Sequence, residues 1–370
     1  MARSHDMTSG SIWRSLLGFS IPIMISNLVQ STYNAVDMLF VGRFTGTESL
    51  AAVSVCGPIL NVMIITLSGM SAGVLVVISG LLGAGDIKQA QDAAHTSVAL
   101  YALMAAVMTV LGLLFVPQIL RLVQTPAAAM PEAKRYLYTV FAGTVFTFGY
   151  NLIGALQRGL GNAAASMSFV IISSAANIAL DAVFIVWLGM GAFGVALGTV
   201  LSQVAAFVIG TVQFARGGAA LRLSARAVRF HKKHLKNILL FGVPTALNEV
   251  MVNLAMLTVS GVANSFGLAS SAAYGVGSRI NSLAIFTDGA MNQTMSAYAS
   301  QNIGAGRQKR ALEGLWKAII LSAGAALGTS LLVLGFASEF SACFDSDPTV
   351  IEQSAAFLRV TVWSYPLFAT

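Results

Sequence analysis

Gly83-Ala84-Gly85-Asp86-Ile87-Lys88-Gln89-Ala90 ends one long apolar run, and Gly304-Ala305-Gly306-Arg307-Gln308-Lys309-Arg310-Ala311 ends another. A second pair of landmarks stands at almost the same offset. Leu16-Leu17-Gly18-Phe19-Ser20-Ile21-Pro22 lies near the start of one apolar run, and Leu239-Leu240-Phe241-Gly242-Val243-Pro244 near the start of another. One Gly-Ala-Gly match carries little weight. Two landmarks with a common offset mark an internal repeat, which decides the architecture before any local reading does.

Between these landmarks the chain is suited to lipid. Hydrophobic residues make up 56% of the 370 and charged residues 9%, against about 25% charge in a soluble domain whose surface faces water. A membrane span needs about 20 apolar residues at about 1.5 Å each. Such runs are predicted near 15–41, 48–82, 93–117, 136–158, 163–188, 192–214, 237–265, 269–303, 311–337 and 350–370. The predicted fold class is an all-α polytopic membrane protein of two parallel six-helix repeats, the second incomplete, forming a two-lobed bundle with a central cleft. The expected organisation is an N-lobe over 1–214 with spans 1–6, a basic linker over 215–236, and an incomplete C-lobe over 237–370 with spans 7–10. The last run has no loop after it, so the chain is expected to stop inside a helix. With an even number of spans per half, both halves start on the same side. They are then related by an axis along the membrane normal, with a path between them.

The formal net charge of +7 would suit a nucleic-acid partner if the charges were clustered on a soluble face. They lie instead in short loops, and alternate loops carry most of them. Arg3, Arg14, Lys88, Arg158, the stretch Arg216 to Lys236, and Arg307, Lys309 and Arg310 fall on one side; Arg43, Arg121, Lys134 and Arg135 fall on the other. The positive-inside rule predicts a cytoplasmic N-terminus, and no nucleic-acid partner is expected. The first apolar run is too long for a signal-peptide core and has no small-residue cleavage site, so it reads as an uncleaved span. Arg216 to Lys236 reads as a solvated linker in preference to a lipid-headgroup site. Cys56 and Cys343 are expected to be small core hydrophobes with no disulfide framework.

Acids away from the ends of spans are expensive and are functional candidates by default; here they are Asp37, Asp181, Glu249 and Asp288. Asn27, Gln30, Asn34 and Asp37 fall within an arc of about 80° on span one, a polar stripe that cannot face lipid. Asn177 and Asp181 share a face of span five at i and i+4, and Asn151 in span four and Thr199 in span six could complete an oxygen-rich cluster. Such a cluster suits a hard cation, while a close carboxylate pair can share a proton. The plainer explanation is interhelical hydrogen bonding, which suffices for Asn27 or Ser31 alone. In the second half, Glu249, Asn253 and Ser260 lie along one side of span seven, and Asn281, Asp288 and Asn292 along one face of span eight, where a charge pair of Asp288 with Arg279 is the plainer reading. By the repeat offset, Glu249 corresponds to Asn27, and Asp37 to Val259 or Thr258, so the halves share a frame but not their charges. Met24, Met38, Met63, Met70, Met256, Met291 and Met295 suit either a pliable binding surface or ordinary core filling.

Enzyme chemistry has no residues to carry it. No Gly-x-x-x-x-Gly-Lys-[Ser/Thr] phosphate loop is present, and His231-Lys232-Lys233-His234 lacks the Glu of a zincin.

Pro22, Asn27, Gln30, Asn34-Ala35-Val36-Asp37 and Val41-Gly42-Arg43 together resemble span one of the multidrug and toxic compound extrusion (MATE) family. Gln157-Arg158-Gly159-Leu160-Gly161-Asn162, Gly83-Ala84-Gly85 and Gln301-Asn302-Ile303-Gly304-Ala305-Gly306 are similar to its loop signatures. The resemblance covers the whole chain and is nearest the bacterial DNA-damage-inducible-type branch. It implies a twelve-span, two-lobed antiporter in the bacterial cytoplasmic membrane, exporting small amphipathic, often cationic compounds in exchange for Na⁺ or H⁺ and needing no cofactor. It also implies a cation site at Asp37, Asn177, Asp181 and Thr199, with Na⁺ as one candidate ion, and a span-seven acid at Glu249. Against that pattern the chain is expected to be C-terminally truncated, lacking spans eleven and twelve. Membrane lipid is the expected surroundings and a monomer the expected state. Gln30, Asn34, Asn253 and Asp288 stand with Glu249 as candidates for substrate contact or second-lobe coupling, and Asn151 stands with the cation set. The competing expectation is a lipid-linked saccharide flippase of the same general plan. A flippase holding pyrophosphate should line its cavity with cations, whereas acids outnumber Arg279 within these spans.

Overall fold

The computed structural model of the chain describes residues 6–216 and 221–368, without the side chains of 225, 283–286, 366 and 368. Arg3 lies outside the described residues. The elements are α1 (Ile12–Phe44), α2 (Thr47–Gly83), α3 (Ile87–Leu122), α4 (Met130–Gly159), α5 (Ala163–Asp181) continued by a π-helical segment (Ala182–Trp187), α6 (Gly191–Arg216), α7 (Lys232–Ser265), α8 (Leu268–Gly304), α9 (Gln308–Ala342) and α10 (Pro348–Thr361). Over the described residues each predicted apolar run falls on helix, and α1, α3, α4, α7 and α9 extend several residues past the apolar limits. The chain is a polytopic all-α membrane protein. Eight of the helices, α1 to α7 and α9, are long and apolar enough to cross a bilayer, counting α5 together with its π segment. The other two differ from expectation for local reasons. α8 has the length, at 37 residues, but carries Asn281, Asp288, Asn292, Gln293 and Gln301. α10 gives way to a 3₁₀ turn after Thr361.

One turn design recurs where α2, α4 and α8 end. Gly85, Gly161 and Gly306 adopt φ of +73°, +78° and +72°, a left-handed conformation open to glycine at little cost. In each case the next residue's N–H reaches back to a helical carbonyl: Asp86 to Leu81, Asn162 to Gln157 and Arg307 to Asn302. That is the Schellman pattern, which satisfies the last carbonyls of a helix. Asp86 and Asn162 then cap the following helices by accepting from Gln89 N and Ala165 N. These turns fall at one end of the bundle, here called the basic end because most loop Lys and Arg collect there.

α7 begins at Lys232, earlier than the apolar pattern indicates, so the last residues of the expected linker are helical. Ahead of it, the segment from Leu221 lies along the start of α3. Arg222 N donates to Gln91 Oε1 at 2.7 Å, and His231 N to Thr96 Oγ1 at 3.2 Å. Of the two cysteines, Cys56 is buried as expected, but Cys343 is exposed just past the end of α9.

The two halves meet mainly through α2 against α7 and α8, and α1 against α8. Small residues let these backbones touch. A Cβ at Gly69 or Gly73 would collide with Ala246 or with the Ile238 carbonyl of α7, and one at Gly83 with the Gln301 carbonyl of α8. This is the small-residue packing expected where lipid supplies no hydrophobic drive between helices. A cluster of Met7, Ile12, Leu16, Phe19 and Ile23 with Ala290, Ala297 and Tyr298 seals the α1–α8 side.

Candidate functional site

Asp181 is the last α-helical residue of α5, and the chain winds on from it as a π-helix to Trp187. π-turns are rare and favour functional positions. Here the Leu188 N–H bonds to the Val183 carbonyl and the Met190 N–H to the Phe184 carbonyl. α6 then returns close by. A Cβ at Gly194 would press on Phe184 and Met190, and one at Gly198 would collide with Asp181 Oδ1. The missing side chain at Gly198 is therefore the space into which the carboxylate fits.

Asp181 is 0% exposed and Asn177, one turn earlier, 2% exposed. The Asp37 carboxyl of α1 lies within hydrogen-bonding reach of that of Asp181. Among the described residues no donor reaches Asp37 Oδ1, either oxygen of Asp181, or Asn177 Oδ1. Leaving such groups buried and unsatisfied is costly, and two bare carboxylates within reach of each other repel. A proton between the acids or a cation against them would relieve such an arrangement. Carboxylate and amide oxygens left without donors are the ligand types a hard cation takes. Thr199, half-buried on α6, donates its hydroxyl to Val195 O at 3.0 Å, so its oxygen retains accepting capacity.

The other candidates divide. Asn151 donates to Thr147 O at 2.8 Å within its own helix, and Thr147 bonds to Gln203 of α6, so Asn151 belongs to an α4–α6 polar contact. Gln30 lies near Tyr33, which lies near Asp37 and Asp181, and Asn34 is exposed on the same helix. Glu249 and Asn253 sit together on α7, where Asn253 Nδ2 donates to Glu249 O at 2.8 Å. Among the described residues, neither Glu249 nor Asp288 forms a hydrogen bond or ion pair with the Asp37–Asp181 pair. Arg279 is exposed and makes no ion pair with Asp288 among them. Nine residues of one helix separate the two by about 13 Å of rise, so the simpler account of Asp288 fails.

Three features escaped the sequence. The π segment has no signature in its residues. The role of Gly198 was readable only as Gly194-x-x-x-Gly198, a spacing associated with close helix approach. Asn61 of α2, whose amide donates to Asn253 Oδ1 at 3.3 Å, is one more polar residue in a long span. Toward the end opposite the basic one, no further hydrogen bond joins the halves among the described residues.

The sequence model of the family described as MatE matches residues 22–183 and 244–370. Its two matches start at Pro22 and Pro244, the prolines that the internal repeat aligns. The chain belongs to the MATE family. Its kinship is with transporters, not enzymes. Among MATE relatives, "Probable multidrug resistance protein YoeA" of Bacillus subtilis (strain 168) is 30% identical over 97% of this chain and 79% of its own length. "Probable multidrug resistance protein YpnP" of the same strain is 27% identical over 98% and 81%. Among solved structures, the outward-facing conformation of a multidrug resistance MATE family transporter of the MOP superfamily superposes with a TM-score of 0.92. It shows 25% identity and covers 98% of this chain and 81% of that one.

Proposed function

We propose that this MATE protein is a secondary multidrug efflux antiporter, exporting small amphipathic cations in exchange for Na⁺ or H⁺ by alternating access. The observation that carries the reading is the Asp37 and Asp181 pair, in which Asp181 is buried with Asn177 and no donor reaches Asp37 Oδ1 or either Asp181 oxygen among the described residues. Binding a proton or Na⁺ removes the mutual repulsion and lets α1 pack more closely on α5. Losing the ion restores the repulsion and loosens α1. A helix whose packing depends on the bound ion can bias a two-state bundle, since a ligand shifts an equilibrium only by its differential affinity for the two states. Each positive charge entering down 100 mV supplies about 2.3 kcal/mol, comparable to the bias required.

The substrate path runs between the halves, with Asn61, Asn253 and Glu249 at the inner end of the gap. Glu249 supplies the negative charge that favours cationic substrates. With the basic end cytoplasmic, as the loop charges favour, the packed α2–α8 side faces the cell interior. The bacterial relatives support a cytoplasmic-membrane location. Acids in the spans also argue against a pyrophosphate-bearing substrate, which needs cations around it.

The test is efflux of ethidium from proteoliposomes, driven separately by a Na⁺ gradient and by a pH gradient. One gradient alone is expected to drive export, and Asp37→Asn to stop it. Unchanged gradient-driven export by Asp37→Asn ends this mechanism.

A further inference from the structure

The residues ahead of α1 make contacts that the transport reading leaves unused. Met7 precedes the first helix yet is 0% exposed. Its N–H donates to Gln301 Oε1 at 3.0 Å. Its carbonyl accepts from Asn302 Nδ2 at 3.2 Å and from the Arg310 guanidinium at 3.4 and 3.3 Å. Arg310 Nη2 also donates to the Ser9 carbonyl at 2.9 Å, and Arg307 donates to the Thr8 carbonyl. The segment is shaped for this. Asp6 accepts from Thr8 N, Thr8 Oγ1 and Ser9 Oγ, an Asx-type turn, and Gly10 with φ +73° turns the chain into α1.

The receiving residues lie in one half only. The Gly-Ala-Gly repeat aligns Gln301-Asn302 with Gly80-Leu81, neither of which has a polar side chain. The donors are aimed at backbone carbonyls, which every peptide offers, and the buried Met7 side chain supplies the anchor. A turn held by its carbonyls with one apolar side chain in a socket is docked as a peptide ligand would be.

We propose that Gln301, Asn302, Arg307 and Arg310 form a peptide-binding site whose ligand is residues 6–9 of this same chain. The docked segment is a strap that ties the start of α1 to α8 and α9 across the interface between halves. α1 carries the strap at one end and Asp37 further along. A shift of α1 caused by ion binding therefore bears on the strap, and release of the strap frees the basic end to part. That consequence rests on the alternating-access reading; the docking does not.

The test uses the full chain in lipid nanodiscs with Cys343, the exposed thiol, replaced by Ser. Met7→Cys is expected to react with a polar maleimide roughly tenfold more slowly than Ser9→Cys, because reaction needs local opening. Adding Arg310→Gln with Gln301→Leu is expected to bring the two rates together. The same pair of substitutions is expected to expose Ala297→Cys, which is buried in the α1–α8 packing. Equal rates for Met7→Cys and Ser9→Cys in the otherwise unaltered chain overturn the docking. Exposure of Met7→Cys with continued protection of Ala297→Cys overturns the latch. Hydrogen exchange of the Met7 amide in the unsubstituted chain guards against a disturbance from the cysteine itself, and rapid exchange there also overturns the docking. All these results are independent of whether Asp37→Asn transports, so the strap and the ion site fail separately.

Discussion

Gly83 and Gly304 occupy the same slot on opposite sides of one helix crossing. A Cβ on Gly83 would collide with the carbonyl of Gln301, and a Cβ on Gly304 with the carbonyl of Gly80. The repeat that pairs Gly83 with Gly304 pairs Gly80 with Gln301, so the two contacts are mates under a two-fold relation between α2 and α8. Alanine at either position forces the backbones apart and is expected to cost about 1–3 kcal/mol by overpacking. The two substitutions should lower the thermal unfolding midpoint by similar amounts. Gly261→Ala, at an α7 glycine with nothing within 4 Å of a Cβ, should leave the midpoint unchanged or raise it, since alanine is the better helix former. Unequal effects at Gly83 and Gly304 would count against the two-fold relation.

Asp37 and Asp181 act as one unit if they share a proton or a cation. Removing either charge then removes the whole effect, as happens where residues work together. Asp37→Asn and Asp181→Asn are each expected to abolish gradient-driven efflux, and the double substitution to do no more. Partial losses that multiply in the double variant would mean two independent sites.

Gly198→Ala places a methyl group against Asp181 Oδ1 without altering any acid. The carboxylate must move, and a misplacement near 1 Å can cost about 10²-fold in function. The expected result is loss of ion-driven efflux with the chain still folded and still binding ethidium. Gly194→Ala presses on Phe184 and Met190 instead, so it should lower stability more than coupling. Efflux unaffected by Gly198→Ala would assign that glycine to helix packing alone.

The legible parts of this molecule were those written in hydrophobic period and in repeated turns. Gly85, Gly161 and Gly306 could be read because a left-handed corner favours glycine. Asp37, Asn177 and Asp181 could be read because polar groups on one helical face inside lipid need a reason. What local sequence could not reveal depended on contacts distant along the chain. Gln301 and Asn302 gain their meaning from Met7, and Gly198 from Asp181, each partner lying on another element. The π segment after Asp181 lies against Gly194 of α6 through Phe184, a contact that propensity does not record. The Asp288–Arg279 pair failed because sharing a helix is not the same as being within reach.

Glu249→Gln separates substrate from ion. Glu249 lies on α7, apart from Asp37 and Asp181; its backbone carbonyl accepts from Asn253, which in turn accepts from Asn61 of α2, and its carboxylate is the charge proposed for the substrate path. Its neutral amide should weaken binding of ethidium, a cation, and spare that of an uncharged amphipath of similar size. Titration of each compound by fluorescence in nanodiscs reads this directly, and equal weakening of both would make Glu249 a packing residue.

The strap carries its own pH dependence. The hydrogen bonds from Thr8 hold the Asp6 carboxyl below its ordinary value, with help from Ser9 and the Arg307 charge. A carboxylate depressed in the folded state contributes stability above its unfolded pKa, near 3.9, and that contribution is lost as the pH falls through the folded value. Docking is therefore expected to be constant from neutral pH down to about pH 4 and to weaken below it. Trp13, which packs under Lys317 at 5.9 Å beside the strap, is the natural reporter once Trp187, Trp316 and Trp363 are replaced by Phe. Its fluorescence should hold steady through the neutral range and change only in the acid step, and Asp6→Asn should remove that step. A transition near neutral pH would instead assign control of the strap to a histidine.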